Sequence, residues 1–64
     1  MKFTLEIQCD NDSFGQDEIS RNVEVSYILD NISRQVEDGK VFGTVKDTNG
    51  NTVGKYQYVA GNQK

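Results

Sequence analysis

The sequence contains no histidine, no proline, no tryptophan and a single cysteine, Cys9. Without histidine the chain lacks the commonest general base near neutral pH, the usual catalytic triads and the commonest zinc ligand. One cysteine excludes an intramolecular disulfide and a cysteine-based metal site within one chain. Because Cys9 continues an alternating apolar pattern, we interpret it as a buried, inert thiol in a reducing compartment. We therefore predict a protein that is not an enzyme and needs no cofactor.

The chain is short and only moderately apolar. It has 64 residues, of which 34% are hydrophobic. A chain of this size forms one domain, 1–64, near the lower limit for folding without a disulfide or a metal, so oligomerisation would help it. We expect residues 60–64 to be a frayed tail.

Charge is divided unevenly along the sequence. Residues 1–32 carry a net charge of −5 and residues 33–64 a net charge of +2, which together give −3. This acidic balance argues against tight binding of a phosphate backbone, which needs a cluster of uncompensated lysine and arginine. The N-terminal residues alternate polar and apolar side chains and lack the apolar run of a signal peptide or membrane span. We predict a soluble, cytoplasmic protein with no membrane partner.

The N-terminal pattern predicts a strand followed by a loop. Phe3, Leu5, Ile7 and Cys9 alternate with polar residues, which is the period of a half-buried strand at 2–9. The next stretch, 10–17, is rich in residues that favour turns, and Phe14 is its one apolar anchor.

From about residue 20 the apolar period becomes helical. Five residues form one stripe at i, i+3, i+4, i+7 and i+11, namely Val25, Ile28, Leu29, Ile32 and Val36. Gly39 ends this helix, which we place at 20–38, and Asp17, Ser20 and Asn22 are each candidate N-caps. We expect Leu29→Ala and Ile32→Ala each to destabilise the fold by roughly 2 to 5 kcal/mol, as buried truncations do.

The C-terminal third, 41–59, predicts a β-hairpin around the turn at 47–51. A type I turn that starts at Asp47 pairs Asp47 with Asn51 and Val45 with Val53. A two-residue turn instead pairs Val45 with Gly54. The sequence leaves both registers open.

These elements predict an α+β fold: a two-layer βαββ unit with a three-stranded, mainly antiparallel sheet and one helix on one face. We favour the third strand in the centre, because both of its neighbours then run antiparallel to it. Val53 differs in parity from Tyr56 and Tyr58. A bulge near Gly54 would bring all three to one face; otherwise Val53 or the tyrosines lie on the outer face.

The segments 32–39 and 43–56 together resemble a group of small uncharacterised phage and bacterial proteins. The second segment is similar to the pattern Gly-x-(Ile/Leu)-x-Asp-x-Asn-Gly-Asn-x-Val-Gly-x-aromatic, with Tyr56 at the aromatic position, which is often tryptophan. The resemblance covers most of the chain and implies a βαββ unit. It implies no known activity, cofactor or catalytic residue.

Two functional hypotheses remain. The favoured one is a non-enzymatic protein-interaction or self-associating module that uses a sheet face or a strand edge, with an unknown protein partner or a weak homodimer. The less favoured one is a nucleic-acid accessory protein with lysines and stacking tyrosines on the hairpin. The candidate interaction residues are Phe42, Tyr56, Tyr58, Lys46 and Lys55. The more ordinary interpretation is that the tyrosines pack in the core and the sheet, and that the lysines protect an edge strand from aggregation.

The acidic stretch that begins at Asp10 generates a prediction about metals. It matches a calcium loop at three positions, but Phe14 and Arg21 stand where that loop needs oxygen ligands. We predict no specific divalent metal site. Isothermal titration calorimetry with calcium or zinc is expected to show no stoichiometric binding, and micromolar binding of either ion at a defined ratio would contradict this.

Overall fold

The computed structural model of the chain describes residues 1–61. Its regular elements are strand β1 at Lys2–Ile7, helix α1 at Glu18–Glu37, strand β2 at Phe42–Lys46 and strand β3 at Thr52–Val59, with a 3-10 turn at Asp12–Phe14. Ala60 and Gly61 follow β3 as exposed irregular chain, and the rest of the expected tail lies outside the described residues.

The sheet has three strands in the order β1-β3-β2, and both pairs are antiparallel. The predicted α+β fold and the central position of the third strand are therefore confirmed. β1 ends at Ile7 rather than at Cys9, which is half-buried against the core instead of fully buried. The register of β1 on β3 places Lys2 opposite Val59 and Ile7 opposite Gly54.

Helix α1 begins two residues before the predicted start. Of the three candidate N-caps, Asp17 is the one used, since its carboxylate accepts a hydrogen bond of 2.7 Å from the backbone amide of Ser20. That amide, assisted by the Ser20 side chain, lowers the pKa of Asp17 below its ordinary value. At the other end Gly39 has φ 101°, the left-handed conformation that closes a helix without a Cβ clash.

The buried face of α1 is rotated relative to the predicted stripe. Ile28 and Ile32 are buried and Val25 and Val36 half-buried, but the side chain of Leu29 is 44% exposed. The prediction that Leu29 is a core residue is therefore wrong. The face of the helix that packs on the sheet instead includes the opposite flank, where the side chains of Glu24 and Gln35 point to the hairpin.

Hydrogen bonds explain why these two polar residues face inward. The backbone amide of Thr48 donates to Glu24 Oε2 at 2.8 Å, and the Thr48 hydroxyl donates to the same carboxylate at 2.7 Å. The Tyr56 hydroxyl donates to Gln35 Oε1 at 2.6 Å. A buried carboxylate is tolerated only where such donors replace water, and here they also fix the helix on the hairpin.

The hairpin combines the two registers that the sequence left open. Next to the turn, the amide of Asp47 donates to the carbonyl of Asn51 at 3.0 Å, as the type I reading requires. Further along, Val45 lies opposite Gly54, as in the alternative register. A bulge in β3 that inserts Val53 between these pairs accounts for the change. The predicted bulge near Gly54 is confirmed, and it lets Val53 and Tyr56 both point to the helix.

Gly54 is required beside this bulge because β1 approaches it closely. A Cβ on Gly54 would overlap the carbonyl oxygen of Glu6. The core that forms under the helix has six buried residues, Phe14, Ile28, Ile32, Val45, Val53 and Tyr56. Phe14 thus anchors its loop as predicted.

The rotated helix face predicts different effects for two neighbouring aliphatic residues. Ile28→Ala removes a side chain that is 1% exposed and should destabilise the fold by roughly 2 to 5 kcal/mol. Leu29→Ala removes a side chain that is only about half buried and should cost less, about 1 kcal/mol. Urea unfolding followed by circular dichroism measures both, and equal losses would contradict the helix orientation described above.

Candidate interaction surface

The two faces of the sheet differ sharply in chemistry. Because side chains alternate along a strand, the residues that flank the buried Val45 and Tyr56 point away from the helix. This outer face is formed by Lys2, Thr4, Glu6, Phe42, Thr44, Lys46, Thr52, Lys55, Gln57 and Val59. It is mainly polar, and no described helix or strand packs on it.

The five candidate interaction residues do not share one face. Phe42, which is 71% exposed, lies on the outer face together with Lys46 and Lys55. Tyr56 points to the helix and is 1% exposed, so the prediction that it is an interaction residue on the surface is wrong. Tyr58 lies on the helix side as well, near the end of the sheet, where it is 40% exposed.

Tyr56 is enclosed from two sides. Its hydroxyl bonds to Gln35 on the helix, and its ring lies over Gly43, where a Cβ would come within 2.7 Å of the hydroxyl oxygen. Glycine at position 43 thus leaves the space that the ring fills. The ring is part of the packing between layers and not a surface for stacking a ligand.

A half-exposed apolar strip runs along β1 on the helix side. Glu24 and Gln35 tie one flank of the helix to the hairpin, and α1 lies closer to β2 than to β1. Leu29 is about 100° or more around the helix from those two residues, on the opposite flank of α1. We call this strip the β1 margin and define it by Phe3, Leu5 and Tyr58, which lie on the helix side of β1 and of the neighbouring end of β3.

Aromatic packing orders one end of the β1 margin. The rings of Phe3 and Tyr58, which lie opposite each other in the register, meet edge to face with centroids 5.0 Å apart. Phe3 also lies 6.1 Å from the ring of Tyr56. Phe3 nevertheless stays 39% exposed, so apolar surface remains in contact with water beside the strand.

The backbone of β1 directs a row of polar groups away from the sheet. The amide of Gln8 donates to the carbonyl of Val53 at 2.7 Å. In an antiparallel pair this places the backbone groups of even-numbered β1 residues on β3 and those of Phe3, Leu5 and Ile7 on the opposite edge. Within residues 1–61, no strand pairs with that edge. It is a ready acceptor for another strand.

The tip of the hairpin holds a polar network that the sequence only partly indicated. The Asp47 carboxylate accepts from the backbone amides of Asn49 and Asn51, as expected for a turn. It also accepts from the Asn11 side chain at 2.8 Å and the Ser13 hydroxyl at 2.9 Å. These two donors come from the loop before the helix, so Asp47 joins the loop to the hairpin.

Desolvation of this carboxylate opposes its ionised form. The hydrogen bonds from the Asn51 amide and from the side chains of Asn11, Ser13 and Asn51 outweigh it and hold the pKa of Asp47 well below its usual range. Every buried side-chain nitrogen and oxygen atom in the described part of the chain has a hydrogen-bond partner. The network is thus satisfied internally and serves the structure.

No family model, curated protein or solved structure matches the chain. Helix α1 lacks the apolar length needed to cross a membrane, and no other helix within residues 1–61 has it. In the same residues, no group of three or more acidic or cysteine side chains is arranged to hold a metal ion.

The Asp47 network generates a prediction about acid stability. The folded chain binds fewer protons at Asp47 than the unfolded chain, whose Asp pKa is about 3.9. The stability that ionised Asp47 provides is therefore fully present above about pH 5 and is lost as the pH falls towards the lowered folded pKa. Asp47→Asn should lower the unfolding midpoint at neutral pH, and the difference from the native chain should shrink in acid.

Asp10→Asn is the matched control, because Asp10 is exposed and the same charge is removed. Its midpoint should follow that of the native chain at every pH in guanidinium titrations. A deficit for Asp47→Asn that does not change with pH, or an equal deficit for Asp10→Asn, would contradict this role of Asp47.

Proposed function

We propose that the chain is a small non-enzymatic interaction module that binds a protein partner by pairing a strand with the open edge of β1. The observation that supports this most is the outward row of backbone groups at Phe3, Leu5 and Ile7 next to the apolar β1 margin. Strand addition gains main-chain hydrogen bonds from such a row, and adjacent apolar side chains supply affinity.

The edge of β2 is the weaker candidate for strand addition. Its helix-side residue Val45 is already fully buried, so a partner strand there would cover little new apolar surface on that face. Lys46 lies near the end of the same strand, where its ammonium donates to the Thr52 hydroxyl at 2.6 Å. Lysine on an edge strand hinders pairing with another chain, and β2 has no acidic residue to offset Lys46, whereas β1 carries both Lys2 and Glu6.

The placement of the aromatic rings weighs against the nucleic-acid alternative. A sheet that binds single strands needs exposed rings and cations on one face. Lys46 and Lys55 share the outer face with Phe42, whereas Tyr56 is buried and Tyr58 lies on the helix side. One exposed ring and few lysines on the outer face of an acidic chain make a poor platform for a nucleic acid.

The cellular setting is part of the proposal. We place this module in the bacterial cytoplasm, as a protein of a bacterium or of its phage. The single cysteine and the resemblance of 32–39 and 43–56 to small phage and bacterial proteins support this setting. The proposal includes no catalytic residue and no cofactor.

The test is an NMR titration of the labelled full chain with a peptide of residues 1–9 in which serine replaces Cys9. Added peptide is expected to shift the amide signals of Phe3, Leu5 and Ile7 and to leave Thr44 and Lys46 unchanged. The control is the same peptide with methyl groups on alternate backbone nitrogens, which cannot complete the ladder and should not bind.

Two outcomes would contradict the proposal. One is a β1 edge whose signals do not move at millimolar peptide. The other is a response of Phe42, Lys46 and Lys55 to a mixed single-stranded oligonucleotide that weakens with salt, which would favour the nucleic-acid alternative.

A further inference from the structure

We infer that the strand which occupies the β1 edge is β1 of a second copy of the chain, paired antiparallel about a two-fold axis at Thr4. This inference rests on the proposed function, because it names the partner of the same edge. It joins two sheets into one continuous sheet of six strands, with the two β1 strands at the centre and a β2 strand at each end.

Backbone geometry limits the registers that such a pair can take. Only Phe3, Leu5 and Ile7 direct their backbone groups to the edge, so an odd-numbered residue must face an odd-numbered residue of the second copy. Three central registers satisfy this condition. They place Thr4 opposite Thr4, Leu5 opposite Leu5 or Phe3 opposite Phe3.

Charge selects one register among the three. With Thr4 on the axis, Lys2 lies directly opposite Glu6 of the second copy, and the symmetry repeats this pair, so both charges of β1 are matched. With Leu5 on the axis, Lys2 faces Gln8 and Glu6 faces Thr4. With Phe3 on the axis, Lys2 faces Thr4 and Glu6 extends past the pair. Opposite charges across a strand pair stabilise it, and like charges destabilise it.

The β1 margin gains cover in the same register. Phe3 lies opposite Leu5 of the second copy on the helix side, and the symmetry repeats this contact as well. Phe3 and Tyr58 are 39% and 40% exposed in the single chain. The pairing thus brings two half-exposed apolar strips together at the centre of the sheet.

The edge of β2 offers no comparable self-complementarity. The carbonyl of Val41 accepts from the amide of Tyr58, so the outward backbone groups of β2 belong to Phe42, Thr44 and Lys46. Lys46 is the only charged residue within β2, and any two-fold pairing sets it against an uncharged residue or against itself. The β2 strands at the two ends of the proposed dimer therefore do not favour pairing with further copies, and we expect assembly to end at the dimer.

The expected association is weak. Each chain carries a net charge of −3, which opposes the approach of two copies, and a single strand pair buries a small area. We expect a monomer at micromolar protein, a reversible dimer towards millimolar protein, and more dimer at high salt, where the repulsion between chains is screened.

Charge reversal at positions 2 and 6 tests the register. Lys2→Glu and Glu6→Lys each replace two opposite-charge pairs in the dimer by two like-charge pairs, and each should raise the dissociation constant roughly tenfold. An equimolar mixture of the two variants restores both pairs across the interface. Sedimentation equilibrium of the mixture should show heterodimer at about the affinity of the native chain. A single chain that carries both Lys2→Glu and Glu6→Lys should form a homodimer of about the same affinity.

The matched control separates pairing in β1 from net charge. Lys40→Glu and Glu37→Lys alter the net charge by the same amounts but change exposed residues outside every strand. Their mixture therefore measures what net charge alone contributes to association. The mixture of position 2 and position 6 variants should gain distinctly more affinity over its separate variants than the control mixture gains over its own. An equal gain in the two mixtures, or no gain in the mixture of position 2 and position 6 variants, would overturn the inferred register.

Disulfide trapping gives a second reading that does not depend on charge. Thr4 faces Thr4 as a pair without backbone hydrogen bonds, where the Cα atoms approach closely enough for a disulfide. With Cys9→Ser as background, Thr4→Cys should form a covalent dimer in oxidised glutathione, and Thr44→Cys should not. Equal cross-linking of both would overturn the inference.

The combined results separate the two levels of the proposal. A β1 edge that binds the 1–9 peptide in a chain that stays monomeric at millimolar concentration would leave the interaction module standing and remove the homodimer. A chain that neither binds the peptide nor dimerises would remove both. A dimer that is indifferent to positions 2 and 6 would exclude the register centred on Thr4.

Discussion

The bulge in the central strand is the constraint on which the rest of the structure depends. An extra residue at Val53 lets both Val53 and Tyr56 face the helix, although their separation in sequence has the wrong parity for a regular strand. Gly54 beside it lies against the carbonyl of Glu6, where no Cβ fits. The bulge thereby fixes the core, the outward direction of Lys55 and the close approach of β1. A sheet without it would expose one of the two buried residues.

The order of elements could be predicted from the sequence because it depends on local patterns. Alternation gave β1, the helical period gave α1, and Gly50, observed at φ 85°, marks the turn as expected. The orientation of the helix could not be predicted in the same way. The spacing of apolar residues predicted Leu29 in the core and Glu24 outside it. Glu24 can be buried only because Thr48, which is distant in the sequence, donates hydrogen bonds to its carboxylate. Such long-range partners leave no local signal.

The interaction surface was predicted only in part for a related reason. Phe42, Lys46 and Lys55 are exposed as their positions in the hairpin indicated, but the buried Tyr56 depends on contacts with Gln35 and Gly43 that only the folded chain brings together. The sequence predicts an open strand edge but does not indicate which of the two edges of the sheet would take a partner. The sequence does contain a relevant pattern, since Lys2 and Glu6 are spaced symmetrically about Thr4. This pattern can be interpreted only once the sheet order shows that β3 pairs with one edge of β1 and leaves the other edge open.

We infer that β1 uses its outer edge to pair with another strand of the same kind. Amide hydrogen exchange tests it most directly, because the amides of neighbouring residues in β1 point in opposite directions. At micromolar protein the amides of Thr4 and Glu6 should exchange slowly and those of Phe3 and Leu5 quickly. Towards millimolar protein, Phe3 and Leu5 should become protected while Thr44 at the β2 edge stays unchanged. Exchange at Phe3 and Leu5 that does not depend on concentration, or equal protection of Thr44, would contradict the account.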